Sequence, residues 1–274
     1  MKLILLIAPA LCAVSLHGQV VYTNDFESNT NGFSFSGSIV TLGRSTLVTD
    51  SAGPSSPTTS TWLGKIGNGV LKNSASLERV QLNLSGLTAG TSYAIAFDLF
   101  IGASWDGSAS FYGPDSWRLT ADGATLVETT FSNLAQGLNA GAYSPQKYSD
   151  SSFSGLGGSD QPRFAGADHS WSANTAGNYL DDYAIYSFGR GAGNPLLAFT
   201  ASSAVGVLEF TRFGNTSDSS DEFWALDNVA VTALQMEPPP VDAVPEPSTY
   251  GLLGTLAIAA LAAKRRFLPG PARS

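Results

Sequence analysis

Apolar and polar residues alternate over short stretches along most of the chain, and Gly, Ser, Asn and Asp separate the stretches. Residues 77–84 (LERVQLNL) and 91–101 (TSYAIAFDLFI) keep a period of two, and the turn-rich SGLTAG joins them. That period sends successive side chains to opposite faces of an extended strand. Residues 116–131 (SWRLTADGATLVETTF) read as a hairpin with Asp122-Gly123 at its turn, a dipeptide that accepts the positive φ of a tight reversal. Residues 20–26, 32–42, 180–188, 205–213 and 222–234 carry the same alternation. The body shows no convincing helical spacing. The pattern predicts an all-β fold, a two-sheet β-sandwich of jelly-roll type. Residues 132–178 are polar and Gly-rich without a period, and are expected to form an elaborated binding face or a partly mobile loop.

The two ends break this pattern. Met1-Lys2 precedes the apolar run LILLIAPALCAV and small residues at Ser15 and Gly18, which predicts a secretory signal peptide, with its signal helix, over residues 1–18. Cys12, the only cysteine, falls inside it, so the exported body is expected to hold no disulfide. Near the far end, residues 250–263 carry no charge, and Lys264, Arg265 and Arg266 follow at once. As a helix that run is roughly 21 Å long at about 1.5 Å per residue, short for a hydrocarbon core of about 30 Å. Flanking cations of this kind stay on the cytoplasmic side. The segment therefore predicts a short transmembrane helix over residues 248–267 and a cytoplasmic tail over 268–274. Residues 235–247 form a proline-stiffened acidic linker. What remains, residues 19–234, is one β-sandwich domain of ordinary size.

Charge sharpens the picture. The chain carries 14 Lys+Arg and 22 Asp+Glu, a net −8, but five of the cations lie at the ends (Lys2, Lys264, Arg265, Arg266, Arg273) and only one of the acids does (Glu246). Nine cations then face 21 acids over residues 19–245, a net −12. Such a surface excludes nucleic acid as a partner, since that needs clustered Lys and Arg. It suits an extracellular protein or the binding of divalent cations.

Pro245-Glu246-Pro247, the apolar run after it and the Lys264, Arg265, Arg266 cluster together resemble the PEP-CTERM sorting signal. Segments of this kind are also known as the C-terminal region of ice-binding proteins, which says nothing of ice binding by this chain. The resemblance implies processing by an exosortase, an intramembrane transpeptidase of Gram-negative bacteria that make exopolysaccharide. It implies a protein held transiently in the membrane and then delivered to the cell surface or extracellular matrix. The body, through Trp105-Asp106-Gly107 and LDNV at 226–229, resembles an uncharacterised jelly-roll domain of secreted bacterial proteins. More broadly it is similar to carbohydrate-binding jelly rolls of concanavalin-like and MAM-type sandwiches, which open on Asp-Phe-Glu and close on an Asp-bearing strand. Here those positions are Asp25-Phe26-Glu27 and Asp227-Asn228-Val229. The resemblance implies that first and last strands are neighbours and that Asp25, Glu27 and Asp227 hold a structural Ca²⁺, with Asp106 a fourth candidate. Calcium takes six to eight oxygen ligands and needs neither His nor Cys. The alternative for each acid is a turn cap or a solvated side chain.

Catalysis is not expected. Past the signal peptide the chain has one histidine, His169, and no Gly-x-Ser-x-Gly elbow between a strand and a helix. Its acids show no spacing that argues for an acid/base pair. Trp117 and Trp224 sit within alternating strands and are expected in the core. Tyr143, Tyr148 and Trp171 fall in the aperiodic region, where exposed rings could stack on sugars or pin the loop to the sheet beneath. The expected role is a non-catalytic module that binds or organises extracellular polysaccharide. The alternatives are a purely structural, glycosylated matrix protein without a discrete ligand site and, third, an extracellular hydrolase.

Overall fold

The computed structural model describes residues 18–36, 44–48, 59–67, 78–108, 114–133, 145–149, 161–171, 182–190, 196–214 and 222–234. The chain divides into two units, Met1–Gln235 and Met236–Ser274, and every described residue belongs to the first. The signal segment, Tyr143, the linker, the Pro245-Glu246-Pro247 triplet, the apolar run and its cations lie outside the described residues.

The described residues form thirteen strands in two antiparallel sheets. The larger sheet holds β1 (Val20–Asn24), β3 (Arg44–Val48), β4 (Thr59–Ile66), β6 (Ser92–Ala103), β9 (His169–Trp171), β10 (Tyr183–Phe188), β11 (Leu197–Thr200) and β13 (Glu222–Ala233). The smaller holds β2 (Phe33–Ser36), β5 (Glu78–Ser85), β7 (Asp115–Ala121), β8 (Ala124–Thr130) and β12 (Val205–Gly214), in the order β2-β5-β12-β7-β8. The β-sandwich expected from the alternation is present. Asp122 (φ 48°) and Gly123 (φ 83°) make the β7–β8 turn, both in the left-handed region that a two-residue hairpin requires.

The larger sheet is organised by its two longest strands. β6 and β13, 12 residues each, pair along their lengths from Glu222↔Ala103 to Ala233↔Tyr93. Each outer edge is shared by two shorter strands placed end to end. β10 and β11 divide the free edge of β6, while β4 and β1 divide that of β13. The first and last strands are therefore neighbours, Val20 opposite Thr232 and Asn24 opposite Val229. β13 bulges between Asp227 and Ala230, with Asn228 at φ 52°. A bulge re-aims side chains and ends regular pairing, and here it falls where β4 gives way to β1.

Inward-facing positions fill the space between the sheets. Phe97 stacks on Phe188 with ring centres 4.7 Å apart and meets Phe210 edge-on at 5.5 Å. Trp117 from the smaller sheet meets Trp224 from the larger at 6.1 Å, edge to face. Trp105, Trp117 and Trp224 are fully buried, as expected for the latter two. A second cluster of Leu47, Trp62, Phe100, Tyr183, Ile185 and Ala225 is buried on the other face of the larger sheet. It explains why burial in β6 stops alternating after Leu99: from there both faces of the strand are covered.

Candidate functional site

The acids expected from sequence do not form one site. Asn24 Oδ1 accepts a bond from Phe26 N at 2.8 Å, and Phe26, at φ 55°, turns its ring into the core against Phe33. That inward residue leaves Asp25 and Glu27 exposed on either side of it. Asp25 Oδ1 accepts from Glu27 N at 3.2 Å, a local turn. Glu27 Oε1 accepts from Thr61 N at 3.0 Å, which holds its carboxyl below the usual range, and from Ser60 Oγ at 3.2 Å. Ser60 Oγ also lies 3.2 Å from Asp227 Oδ2. One hydroxyl proton is thus shared between two carboxylates.

Asp227 is pushed up to about 7 by burial and then by the charges of Asp98 and Glu27, against the bonds from Asn228 N and Ser60 that oppose the shift. Asp98 is held by Ser187 Oγ (2.8 Å), Asn228 Nδ2 (2.8 Å) and Arg190 (3.4 Å). Glu27 and Asp227 therefore converge, while Asp25 stays at the rim with its Oδ1 committed to a backbone amide.

Asp106 belongs elsewhere. It follows the end of β6, whereas Asp98 and its partner Asp227 sit mid-strand. There Trp105 is buried with Nε1 donating to Phe223 O at 3.1 Å, and Asp106 lies opposite Ser132 in an antiparallel bridge. Gly107, at φ 65°, turns the chain so that Asp115 N reaches Gly107 O at 2.8 Å. A Cβ on Gly107 would stand 2.2 Å from Pro145 O, so only glycine fits the Trp-Asp-Gly turn. The closure brings Asp106 to Asp115, the first residue of β7, whose Oδ2 accepts from Asp106 N. Glu222, the first residue of β13, completes a group whose ligand oxygens all lie within 4.8 Å of one another. Asp106 is 7% exposed, Asp115 1% and Glu222 0%.

Among the described residues, one buried cation faces the three acids. Arg212 of β12, 3% exposed, pairs with Glu222 Oε2, donates to Glu222 O at 3.2 Å and lies over the Trp105 ring at 5.3 Å. Asp115 is raised well above the usual carboxylate range by burial and then by the Glu222 charge, with Arg212 opposing. Asp115 and Arg212 come from the smaller sheet and Glu222 from the larger. The cluster thus joins both sheets at one end of the sandwich.

The aromatic expectation also changes. Tyr148 is 1% exposed and packs on Phe131, Tyr186 and Phe188 at 5.1, 4.9 and 5.4 Å. It is a core residue and offers no face to a sugar. The cause is Gln146, a fully buried side chain that accepts from Ser132 N and donates to Tyr148 O and Ala165 O. Its amide replaces strand pairing and draws the segment inward. Trp171 ends β9 at the sheet edge, half-buried against the Phe100 and Tyr183 cluster, with His169 exposed on the same strand.

Asp115, Glu222 and Arg212 were not singled out from sequence, yet a signal exists. Asp115-Ser116-Trp117 and Glu222-Phe223-Trp224 share an acid two residues before a tryptophan. In a strand those positions point to one face, so a core tryptophan implies an inward acid. Leu208, Phe210 and Arg212 make the same argument for an inward cation.

Residues 243–266 match the PEP-CTERM protein-sorting motif. That motif marks a secreted protein, anchored transiently in the membrane, processed by an exosortase and sorted to the cell surface. No curated protein matches the chain. Among solved structures, the body is similar to the insecticidal delta-endotoxin Cry8Ea1 of Bacillus thuringiensis (7% identity, TM-score 0.28, 58% of this chain and 18% of that one). It is similar also to a family GH115 4-O-methyl-alpha-glucuronidase (11%, 0.28, 84% and 19%). A third is the catalytic domain of a GH87 alpha-1,3-glucanase (16%, 0.25, 84% and 31%). The chain spans less than a third of each of these proteins, and likenesses this loose carry no argument about activity.

Proposed function

We propose that this is a non-catalytic module of the extracellular matrix, which binds or organises polysaccharide at the surface of the producing cell. The observation that carries the reading is the sorting motif at residues 243–266, placed behind a β-sandwich. Sorting of this kind belongs to bacteria that make exopolysaccharide, so the delivered protein meets that polymer first. The arrangement of acids supports a non-catalytic role. Asp106, Asp115 and Glu222 are sealed from a polymer substrate, and Glu27 and Asp227 are engaged in bonds that join β13 to β4 and to the turn after β1. Trp171, at the β9 edge, is the ring among the three expected ones that the structure leaves available for stacking, Tyr148 being buried and Tyr143 outside the described residues.

A purely structural matrix role is the second reading, favoured by the burial of Tyr148. Deleting the gene and fractionating the culture separates the readings from the proposal's failure. Polysaccharide is expected to leave the cell-associated fraction, and to return on complementation with the wild-type gene but not with Trp171→Ala. Full return with Trp171→Ala favours the structural role, and an unchanged polysaccharide distribution on deletion overturns both.

A further inference from the structure

We propose that Asp106, Asp115 and Glu222 bind one calcium ion, which ties the two sheets together at this end of the sandwich. The site is distinct from the Asp25, Glu27 and Asp227 group and does not rest on the polysaccharide reading. Three observations lead to it.

The first is charge. Asp106, Asp115 and Glu222 bring three acids together in a buried place, with Arg212 paired to Glu222. Like charges gathered in a buried place raise one another's cost, and a divalent cation among them lowers it.

The second is unsatisfied oxygen. Asp115 Oδ1 is fully enclosed yet has no hydrogen-bond partner, on a carboxylate whose other oxygen already accepts from Asp106 N. Ser132 Oγ, 0% exposed, is likewise without a partner. Ser132 faces Asp106 across an antiparallel bridge, so the two side chains lie on the same side of the pair. Buried polar atoms are nearly always satisfied, and two orphaned oxygens beside three acids mark a place for a cation.

The third is spacing and donor type. Calcium binds oxygen at about 2.3–2.6 Å, so two ligands on opposite sides of it stand up to roughly 5.2 Å apart. The three acids, within 4.8 Å of one another, can share one ion. All donors are oxygen, which selects a hard cation. Magnesium keeps several of its waters, and a site closed to solvent suits it poorly.

The test uses the full secreted protein, purified from culture and examined by native mass spectrometry, then melted in chelator and with added Ca²⁺ or Mg²⁺. One retained calcium per chain is expected. Ca²⁺ at about a hundred times its Kd is expected to raise Tm by roughly 5–10 °C over the chelated protein, with a smaller shift from Mg²⁺. Asp115→Asn should abolish the calcium shift and Asp227→Asn should preserve it. Ser132→Ala removes only the orphaned hydroxyl, and should weaken calcium affinity several-fold while the chelated protein keeps its wild-type Tm. A folded protein that retains no calcium and whose Tm does not respond overturns the proposal. So does a shift that Asp227→Asn abolishes and Asp115→Asn leaves intact, or an equal response to Mg²⁺.

Discussion

Replacing Arg212 by methionine probes the joint between the sheets. Methionine keeps an unbranched, apolar stem of similar reach, so the change removes charge and hydrogen bonds more than volume. What disappears is the guanidinium paired with Glu222 Oε2, its bond to Glu222 O and its contact with the Trp105 ring. Three acids then lie within 4.8 Å of one another without the Arg212 guanidinium. Removing one partner of a buried ion pair costs about 3–5 kcal/mol, or roughly 6–20 °C in Tm for a domain of this size. Urea unfolding in chelator, followed by the fluorescence of the buried tryptophans, reads the loss. The loss must also depend on pH. Without Arg212 the upward shift of Asp115 loses the charge that opposes it most, so the variant binds more protons folded than unfolded and loses stability as pH rises. The deficit is therefore larger at pH 8 than at pH 5. Adding Glu222→Gln removes one of the stranded charges and should recover part of it. A loss under about 1 kcal/mol at pH 8, or one identical at both pH values, would refute this account of the cluster.

Asp227→Asn should abolish a pH dependence of the opposite cluster. A folded pKa of about 7 against 3.8 means that the ionised side chain opposes folding, so its favourable contribution is complete below pH 3.8 and lost as pH rises to about 7. The shift corresponds to at most about 4 kcal/mol, and solvent screening reduces this to roughly 1–2 kcal/mol. In chelator, urea midpoints should show the variant gaining that much on wild type between pH 4 and pH 8. An unchanged difference across that range counts against the burial and neighbouring charges that raise Asp227. Gly107→Ala should cost more than about 1 kcal/mol, because its φ of 65° and the 2.2 Å approach to Pro145 O both exclude a side chain; a wild-type Tm would contradict the turn. Tyr148→Ala should lower stability by about 3–5 kcal/mol in thermal or urea unfolding. A loss of glycan retention with stability intact would instead restore Tyr148 to the surface.

Much of the fold was legible because the sandwich is built on a period of two. β5, β6, β7, β8, β12 and β13 all lie where alternation put them, and Asp122-Gly123 marks its hairpin. β3, β4, β9 and β11 were not visible. Gly64 and Lys65 interrupt the apolar pattern of β4, and β9 has only three residues, extended by pairing with β10. Such strands form because a neighbour supplies the ladder, a tertiary cause that local pattern does not carry. The same holds for Tyr148, buried through the bonds of Gln146 from outside its segment. The site was half legible. The approach of Glu27 and Asp227 follows from the pairing of β1 with β13. The inward acids of β7 and β13 were written in their spacing from Trp117 and Trp224, but reading them requires knowing that both rings meet in the core.

The claim that the exported body engages the matrix polymer is tested most directly by a binding isotherm. Full secreted protein is titrated against exopolysaccharide purified from the producing cells. Saturable binding that Trp171→Ala weakens several-fold, with Tm little changed, is the result expected. Absence of binding by a protein shown to be folded, or uptake that rises without saturation and ignores Trp171, would contradict it.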